Sequence, residues 1–384
     1  MKNKFKNKNK KRKNIFTAKE TLDINYNYII ILLSKLFFFF FIIFISFKSQ
    51  SNKINELSKN NITQNYNNEF IEFTSKFSSN PFLNSFVKNI SIISIDYSNK
   101  TQLDKNKIKI HICINLNNAH VYIALVAMES ALSNMNKETS IYVYHILCAN
   151  DTNNKNINII RSLKNKYNDN LELIFYNMSN IFIQFEMQRL SQVAYYRLLL
   201  PLLIPYERAI YLDNDILVFK DLLELYQASF NNNYVLGSLD LSDKKYHFLC
   251  KKSDRFINSG ILLLNLDKIR KENKHIEILN FTLSKRKLPS HDQTVINFVL
   301  YPNIGLLPFK YGLFNFQSES DIENKYVKII GQKLDANEII KAFKDPGIMH
   351  LIICKPKVWM QMPLFSKRLT SCKEKKKLPL HKVS

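Results

Sequence analysis

Residues 209–218, Ala-Ile-Tyr-Leu-Asp-Asn-Asp-Ile-Leu-Val, place two carboxylates where an apolar run ends. The run is rich in β-branched and aromatic residues and follows Glu207 and Arg208, a pattern typical of a strand buried on both faces of a parallel sheet. Asp213 and Asp215 then lie at the carboxyl end of that strand, where open α/β sheets bind ligands, and they face the same way. The stretch predicts a site for one hard cation, Mn²⁺ or Mg²⁺, that also takes phosphate oxygens of a substrate.

Strands and helices alternate ahead of this stretch. Apolar runs predict strands at Ile108–Ile114, Ser140–Leu147 and Leu171–Tyr176, and helical spacing predicts helices at about 119–132 and 157–167. Such alternation indicates a mainly parallel, doubly wound sheet with helices on its faces. We therefore predict an α/β fold of the Rossmann-like kind.

An Asp-x-Asp triplet also occurs in solvated turns, so its meaning depends on the other motifs of the chain. These are Val-Ala-Tyr-Tyr-Arg-Leu at 193–198, Asn-Ser-Gly at 258–260 with an apolar run after it, His-Asp-Gln at 291–293, and Met-His at 349–350 followed by Lys355-Pro356 and Trp359. The ordered set resembles the retaining glycosyltransferases of family 8, which include bacterial lipooligosaccharide galactosyltransferases and glycogenin, over about residues 108–360. The resemblance implies a GT-A fold, which agrees with the α/β outline.

The resemblance also implies catalytic and metal-binding roles. It makes His350 the third protein ligand of the cation, beside Asp213 and Asp215. It implies that Asp292 binds hydroxyls of the donor hexose and that Gln293 lies beside the anomeric carbon. Asp292 is equally suited to cap the helix that starts there. We predict Gln293 and Asp292 as the catalytic residues.

Further residues are predicted to bind the substrate. In relatives, an acidic residue and an Asn after the first strand hold the uracil and ribose, and the matching positions here are Asn117 and Ala119. Asn117 can also cap the next helix. The Arg197 guanidinium suits bidentate contact with phosphate or sugar hydroxyls, although it can also cover apolar neighbours. The predicted substrate-binding set is Asn115, Asn117, Arg197, Asn214, Asn258 and Lys355, of which Lys355 neutralises the leaving diphosphate.

The net charge of +23 raises the question of a nucleic-acid partner. Ten of these charges lie in residues 1–60 and the rest are diffuse, and no basic motif interleaved with aromatic residues is present. We therefore predict no nucleic-acid partner. The five cysteines show no metal-ligand spacing, and their odd number argues against a disulfide scaffold.

The first residues predict a membrane segment. Nine basic residues between Lys2 and Lys19 precede an apolar stretch at 28–47 that is long enough to cross a bilayer of about 30 Å. An uncleaved anchor is favoured over a cleaved signal peptide, because no small-x-small cleavage site follows. The predicted organisation is a basic cytosolic tail at 1–27, an anchor at 28–47, a stem at 48–107, the catalytic domain at 108–362 and a basic tail at 363–384. This organisation predicts a single-pass type II protein with its catalytic domain in the Golgi or ER lumen.

Together these features predict a hexosyltransferase. The resemblance implies that it moves a hexose from a UDP-sugar to a glycan or glycoprotein acceptor with retention of configuration, and that Mn²⁺ or Mg²⁺ acts as a Lewis acid on the leaving group. A front-face route and a double displacement both remain open. The alternatives are a catalytically silent binding protein of the same fold and a cytosolic, glycogenin-like enzyme that glucosylates itself.

Overall fold

Two β-sheets form the framework of the protein. The structure, a computed structural model, describes residues 60–97, 106–182, 192–240, 256–285, 288–314 and 336–351. The strands in these ranges are β1 (Ser91–Asp96), β2 (Ile108–Leu116), β3 (Ser140–Cys148), β4 (Leu171–Asn177), β5 (Arg208–Leu212), β6 (Ile216–Val218), β7 (Val235–Leu239), β8 (Ile257–Asn265), β9 (Ile304–Leu306), β10 (Leu313–Phe314) and β11 (Ile348–His350). The large sheet has the order β1-β4-β3-β2-β5-β8-β7-β9, and the small one β10-β11-β6.

Helices connect these strands. They are α1 (Asn60–Ser75), α2 (Pro81–Val87), α3 (Val121–Ser133), α4 (Asn154–Arg161), α5 (Lys164–Tyr167), α6 (Leu200–Leu203), α7 (Leu223–Tyr226), α8 (Leu266–Lys271), α9 (Lys274–Ser284), α10 (His291–Val299) and α11 (Ala336–Lys344). A 3₁₀ helix at Gln192–Leu199 precedes α6.

The large sheet has a separate apolar core on each face. Successive residues of a strand point to opposite faces, and along β5 Ala209 and Tyr211 enter one buried cluster whereas Ile210 and Leu212 enter the other. The prediction of a strand buried on both faces at this position is therefore confirmed. The α/β prediction is confirmed with it, because helices contribute side chains to both clusters.

The sheet is mixed, although most of its pairs are parallel. Strands β4, β3, β2 and β5 pair in parallel, as the βαβ alternation predicts. In contrast, β8 runs antiparallel to both β5 and β7, and β1 antiparallel to β4. The antiparallel strand β8 places residues 258–260 next to the carboxyl end of β5.

Part of the predicted stem belongs to the folded domain instead. Helices α1 and α2 lie at residues 60–87, and β1 pairs with β4 at the edge of the large sheet. Phe70, Leu83 and Phe86 are buried in the same cluster as β4. The domain therefore starts well before residue 108, because these aromatic and aliphatic side chains cover one face of the sheet.

The predicted membrane placement is contradicted. Among the described residues, no helix combines the length and the apolar character that a bilayer span requires. The predicted anchor at 28–47, the tail at 1–27 and the tail at 363–384 lie outside the described ranges. The prediction of a type II protein of the Golgi or ER membrane is therefore wrong on this finding.

Candidate active site

The two aspartates of the triplet lie directly after β5. The strand ends at Leu212, and the backbone N–H of Asp213 donates to the carbonyl oxygen of Gly260 at 2.8 Å. The chain then turns and enters β6 at Ile216. Both carboxylates therefore project from the carboxyl end of a central strand, as the sequence predicts.

The small sheet brings His350 to these aspartates. Strand β11 runs antiparallel to β6, with His350 opposite Ile216. The His350 Nε2 atom lies 3.0 Å from Oδ1 of Asp215 and 3.7 Å from Oδ2 of Asp213. The pairing of two short strands thus unites ligands that are 135 residues apart in the chain.

The geometry of these three residues fits a divalent cation. Asp213, Asp215 and His350 each offer one ligand atom, and the three atoms lie within 4.8 Å of one another. The aspartate side chains keep 27% and 22% of their surface exposed, so a ligand can reach them, whereas His350 is buried. Two carboxylates and one imidazole suit Mn²⁺ better than Mg²⁺, because Mg²⁺ strongly prefers an all-oxygen octahedron.

Gly260 leaves the space in which these side chains meet. A Cβ atom at this position would lie 2.2 Å from Cε1 of His350 and 2.7 Å from Oδ2 of Asp213. Real Cβ contacts do not come so close, so any side chain here displaces a ligand of the cluster. The glycine of the Asn-Ser-Gly motif therefore permits the close backbone approach that the sequence predicts.

Arg197 connects the candidate metal cluster of Asp213, Asp215 and His350 to the start of α10. Its Nη2 donates to Oδ1 of Asp213 at 2.9 Å, and its Nε lies 3.1 Å from Oδ2 of Asp292. Its Nη1 donates to the carbonyl oxygen of Ser259, and its guanidinium carbon lies 4.1 Å from the centre of the Tyr211 ring. Burial alone lowers the pKa of Arg197, but the two carboxylates outweigh it and raise that pKa. The arginine is a buried bridge between two acidic groups.

The predicted catalytic residues lie at the first turn of α10. His291 enters the helix with a φ of 49°, in the left-handed region that non-glycine residues rarely adopt. Asp292 is buried beside Arg197, and burial raises the pKa of its carboxyl while the arginine opposes this shift. Gln293 accepts hydrogen bonds from the backbone N–H of Ser259 and from Nδ2 of Asn258, both at 3.2 Å.

A bulge in β8 positions the Asn-Ser-Gly motif. Opposite β7, the register jumps from Leu262 to Asn258, so the residues between them are unpaired on that side. The Oδ1 atom of Asn258 then accepts from the N–H of Gly260 at 2.9 Å. Bulges of this kind often re-aim side chains beside active sites, and here the bulge turns Asn258 towards Gln293.

Asp240 belongs to the same cluster, and the sequence analysis missed it. It is buried and directly follows β7, and its Oδ2 accepts a hydrogen bond from Nε2 of Gln293. A signal exists in the sequence, because Leu239-Asp240 ends an apolar run just as Leu212-Asp213 does. The contact itself joins residues 53 positions apart, so spacing alone does not reveal it.

The other predicted binding residues lie near the ends of β2 and β5. Asn115 donates through Nδ2 to the carbonyl oxygen of Val193 at 2.7 Å and to the Tyr211 hydroxyl at 2.9 Å. That hydroxyl donates to Oδ1 of Asp213 at 2.9 Å. Within the described ranges, buried polar atoms without a hydrogen-bond partner include Oδ1 of Asn115, Oδ1 of Asn214 and Nδ1 of His350. Such atoms are candidate ligand contacts.

The structure gives no support for a substrate contact at two of the predicted binding residues, Asn117 and Lys355. The side-chain Oδ1 of Asn117 accepts from the backbone N–H of His120 at 3.0 Å and contacts Nδ1 of His120 at 2.6 Å, so this side chain closes the turn before α3. Lys355 lies outside the described residues. The assignment of either residue to the substrate stays a prediction.

The mixed α/β sheet, with two aspartates and a histidine at the carboxyl ends of its strands, defines a GT-A type of fold. The family model "Glycosyl transferase family 8" matches residues 111–362. The chain therefore belongs to glycosyl transferase family 8, as its motifs predict.

Relatives at the sequence level come from bacteria. The chain is 27% identical over 183 residues to General stress protein A of Bacillus subtilis (strain 168), which covers 45% of this chain and 62% of the relative. It is 26% identical over 218 residues to the lipopolysaccharide 1,2-glucosyltransferase of Escherichia coli, which covers 52% and 62%. The chain thus spans less than two thirds of each of these relatives.

Solved structures share the fold. The galactosyltransferase LgtC, solved with donor and acceptor sugar analogs, superposes with a TM-score of 0.54 at 19% identity, over 71% of this chain and 98% of LgtC. The bifunctional glycosyltransferase WbbM, in its apo form, superposes with a TM-score of 0.52 at 19% identity, over 64% of this chain and 46% of WbbM. At this identity the likeness concerns the fold alone.

Proposed function

We propose that this protein transfers a hexose from a UDP-sugar to a glycan or glycoprotein acceptor, with retention of configuration and with Mn²⁺ as its preferred cation. The observation that carries the proposal is the cluster of Asp213, Asp215 and His350, whose ligand atoms lie within 4.8 Å of one another at a ligand-binding edge of the sheet. A diphosphate supplies the oxygen ligands that such a cluster lacks. When bound, the cation would act as a Lewis acid on the diphosphate leaving group.

Fixed charges around this cluster support the same reaction. Arg197 donates a hydrogen bond to Asp213 and forms an ion pair with Asp292, so its charge lies between both carboxylates before any substrate arrives. A preorganised site of this kind needs little rearrangement when charge develops in the transition state. We assign Arg197 the role of orienting a metal ligand and a sugar-binding carboxylate, in addition to any direct contact with the donor.

The surroundings of Gln293 favour a front-face route. A double displacement requires a nucleophile beside the anomeric carbon. The side-chain oxygen Oε1 of Gln293 already accepts hydrogen bonds from two N–H groups. Hydrogen bonds to this oxygen reduce its capacity to attack. In a front-face route the departing phosphate takes the proton of the acceptor hydroxyl, and no protein nucleophile is required.

The proposal is tested by UDP release from the full-length protein. We expect turnover with at least one UDP-hexose and Mn²⁺, weaker turnover with Mg²⁺, and none in chelator. Asp215→Asn should lower turnover by about 100-fold or more, because even residues that only support metal ligands typically contribute 10- to 100-fold.

Asp345→Asn is the matched control, because this exposed aspartate pairs with Lys220 away from the cluster. Its activity should equal that of the wild type. Full activity of Asp215→Asn, or of the wild type in chelator, would contradict the metal-dependent mechanism. A folded wild type that binds UDP and Mn²⁺ but turns over no UDP-hexose would instead favour the silent binding protein.

A further inference from the structure

Gln293 is held by neighbours of opposite hydrogen-bonding character. Its Oε1 accepts from the backbone N–H of Ser259 and from Nδ2 of Asn258, and its Nε2 donates to a carboxylate oxygen of Asp240. A backbone N–H can only donate, and an ionised carboxylate can only accept. The two ends of the Gln293 amide therefore cannot be exchanged without breaking contacts on both sides.

Burial makes this orientation costly to lose. Gln293 and Asp240 are 9% and 8% exposed, and Asn258 and Ser259 are each 7% exposed. A buried polar group that loses its hydrogen-bond partner destabilises the protein, and more so if it is charged. The amide is therefore fixed more firmly than packing alone would fix it.

The Gln293 amide is linked to the candidate metal cluster through the backbone of residues 259 and 260. Ser259, whose N–H binds Gln293, accepts a hydrogen bond from Arg197 through its carbonyl oxygen. The next residue, Gly260, is the glycine whose missing side chain makes room for His350 and Asp213. Asp240 thus acts on the same part of the site through Gln293.

We infer that Asp240 is a positioning residue for sugar transfer. It orients Gln293 so that the amide presents an N–H donor, rather than its carbonyl oxygen, to the substrate. An amide nitrogen carries two N–H groups, and among the described contacts one of them serves Asp240. The second N–H can bond to an oxygen of the donor sugar or its diphosphate and stabilise charge that develops there. The inference rests on the proposed function.

The first test is Asp240→Asn. The amide oxygen at position 240 can still accept from Nε2 of Gln293, but without the negative charge it holds that end of the amide less firmly, and only Ser259 and Asn258 at the other end still fix the orientation. Hydrogen bonds to charged groups contribute about 1.5–3 kcal/mol, so we expect kcat to fall by about 10- to 100-fold. The affinity for UDP with Mn²⁺, measured by calorimetry, should change by no more than about twofold.

A double variant separates positioning from simple packing. In Gln293→Glu alone, two carboxylates face each other, and we expect a lower Tm. In Asp240→Asn/Gln293→Glu the new amide donates to the new carboxylate, which still accepts from Ser259 and Asn258. We expect the double variant to regain the wild-type Tm but not the wild-type kcat, because position 293 no longer carries an N–H group. Recovery of kcat together with Tm would overturn the inference.

Asp267→Asn, which removes an aspartate paired with the exposed Lys271, is the control and should leave kcat and Tm unchanged. A wild-type kcat in Asp240→Asn, with the wild type itself active, would contradict the positioning role alone. Wild-type protein that turns over no UDP-hexose would contradict the proposed function and, with it, this inference.

Discussion

At the scale of single residues, Gly260 decides whether the metal ligands can meet. We expect Gly260→Ala to weaken Mn²⁺ binding by about tenfold or more, because the new methyl group must displace the His350 ring or the Asp213 carboxylate. Isothermal titration calorimetry of the purified protein with Mn²⁺ measures the change in affinity. An affinity equal to that of the wild type would show that the cluster tolerates a side chain here.

Gly237→Ala provides a matched glycine control. A Cβ atom there would also clash, at 2.7 Å with the terminal methyl group and at 2.9 Å with the Cβ atom of Ile257, which is an apolar residue rather than a candidate metal ligand. We expect this variant to lower Tm modestly and to keep the Mn²⁺ affinity. The comparison separates the loss of a metal ligand from a general loss of packing.

The sequence predicted the position of the two aspartates better than their surroundings. Asp213 and Asp215 could be found because a strand end and the two-residue spacing of an extended chain put both carboxylates at one edge. Arg197 was expected to contact phosphate or sugar, whereas in the structure it pairs with Asp213 and Asp292. Such partners come together only through the packing of distant elements, which linear spacing does not encode.

At the scale of elements, a buried chain of hydrogen bonds joins three strands and a helix. His111 on β2 contacts His145 on β3 at 3.0 Å, His145 contacts Tyr176 on β4 at 2.9 Å, and Tyr176 contacts Tyr66 on α1 at 3.1 Å. Burial lowers the pKa of His145 to about 3 and lowers that of His111 as well. Both imidazoles are therefore neutral in the folded protein near pH 7.

This buried chain of hydrogen bonds predicts that the folded protein loses stability in acid. Between pH about 6.5 and about 3 the unfolded chain binds a proton at His145 that the folded protein does not bind, so stability is lost as pH falls through this window. One such proton corresponds to about 1.4 kcal/mol per pH unit near the middle of the window. We expect His145→Gln to be less stable at pH 7 but to show a shallower dependence on pH, measured by urea unfolding. An identical pH slope in the variant would exclude His145 as the cause.

Elements were predictable where periodicity was strong. The strands at 108–116, 140–148 and 171–177 and the helix at 121–133 fall close to their predicted positions. Helix α1 was missed because Asn-rich composition suggested a stem, although its buried residues Tyr66, Phe70 and Phe73 follow helical spacing. The direction of β8 was not predictable, because a strand buried on both faces shows the same apolar run in either direction.

At the scale of the whole molecule, the N-terminal helices and β1 complete one side of the sheet. A chain that starts at residue 98 lacks them, which uncovers β4 as an edge strand and removes Phe70, Leu83 and Phe86 from the core. A single Phe→Ala change in a core costs about 3–5 kcal/mol, and 1 kcal/mol shifts Tm by about 2–4 °C in a domain of this size.

We therefore expect the chain that starts at residue 98 to melt at least about 10 °C lower than the full chain, or to be insoluble. A chain that starts at residue 57 keeps these elements and should match the full chain. Differential scanning calorimetry of the three proteins makes the comparison. Equal Tm values for all three would show that the N-terminal elements add nothing to the stability of the domain.

The pairing of β6 with β11 also sets the time at which the candidate metal site can first be complete during synthesis. His350 follows Asp215 by 135 residues, and a ribosome that adds about 5–20 residues per second reaches it roughly 7–27 s later. Until then a nascent chain holds both aspartates but lacks the imidazole. On the proposed mechanism, a nascent chain cannot hold the cation with all three side chains, and turnover can begin only after β11 has paired with β6.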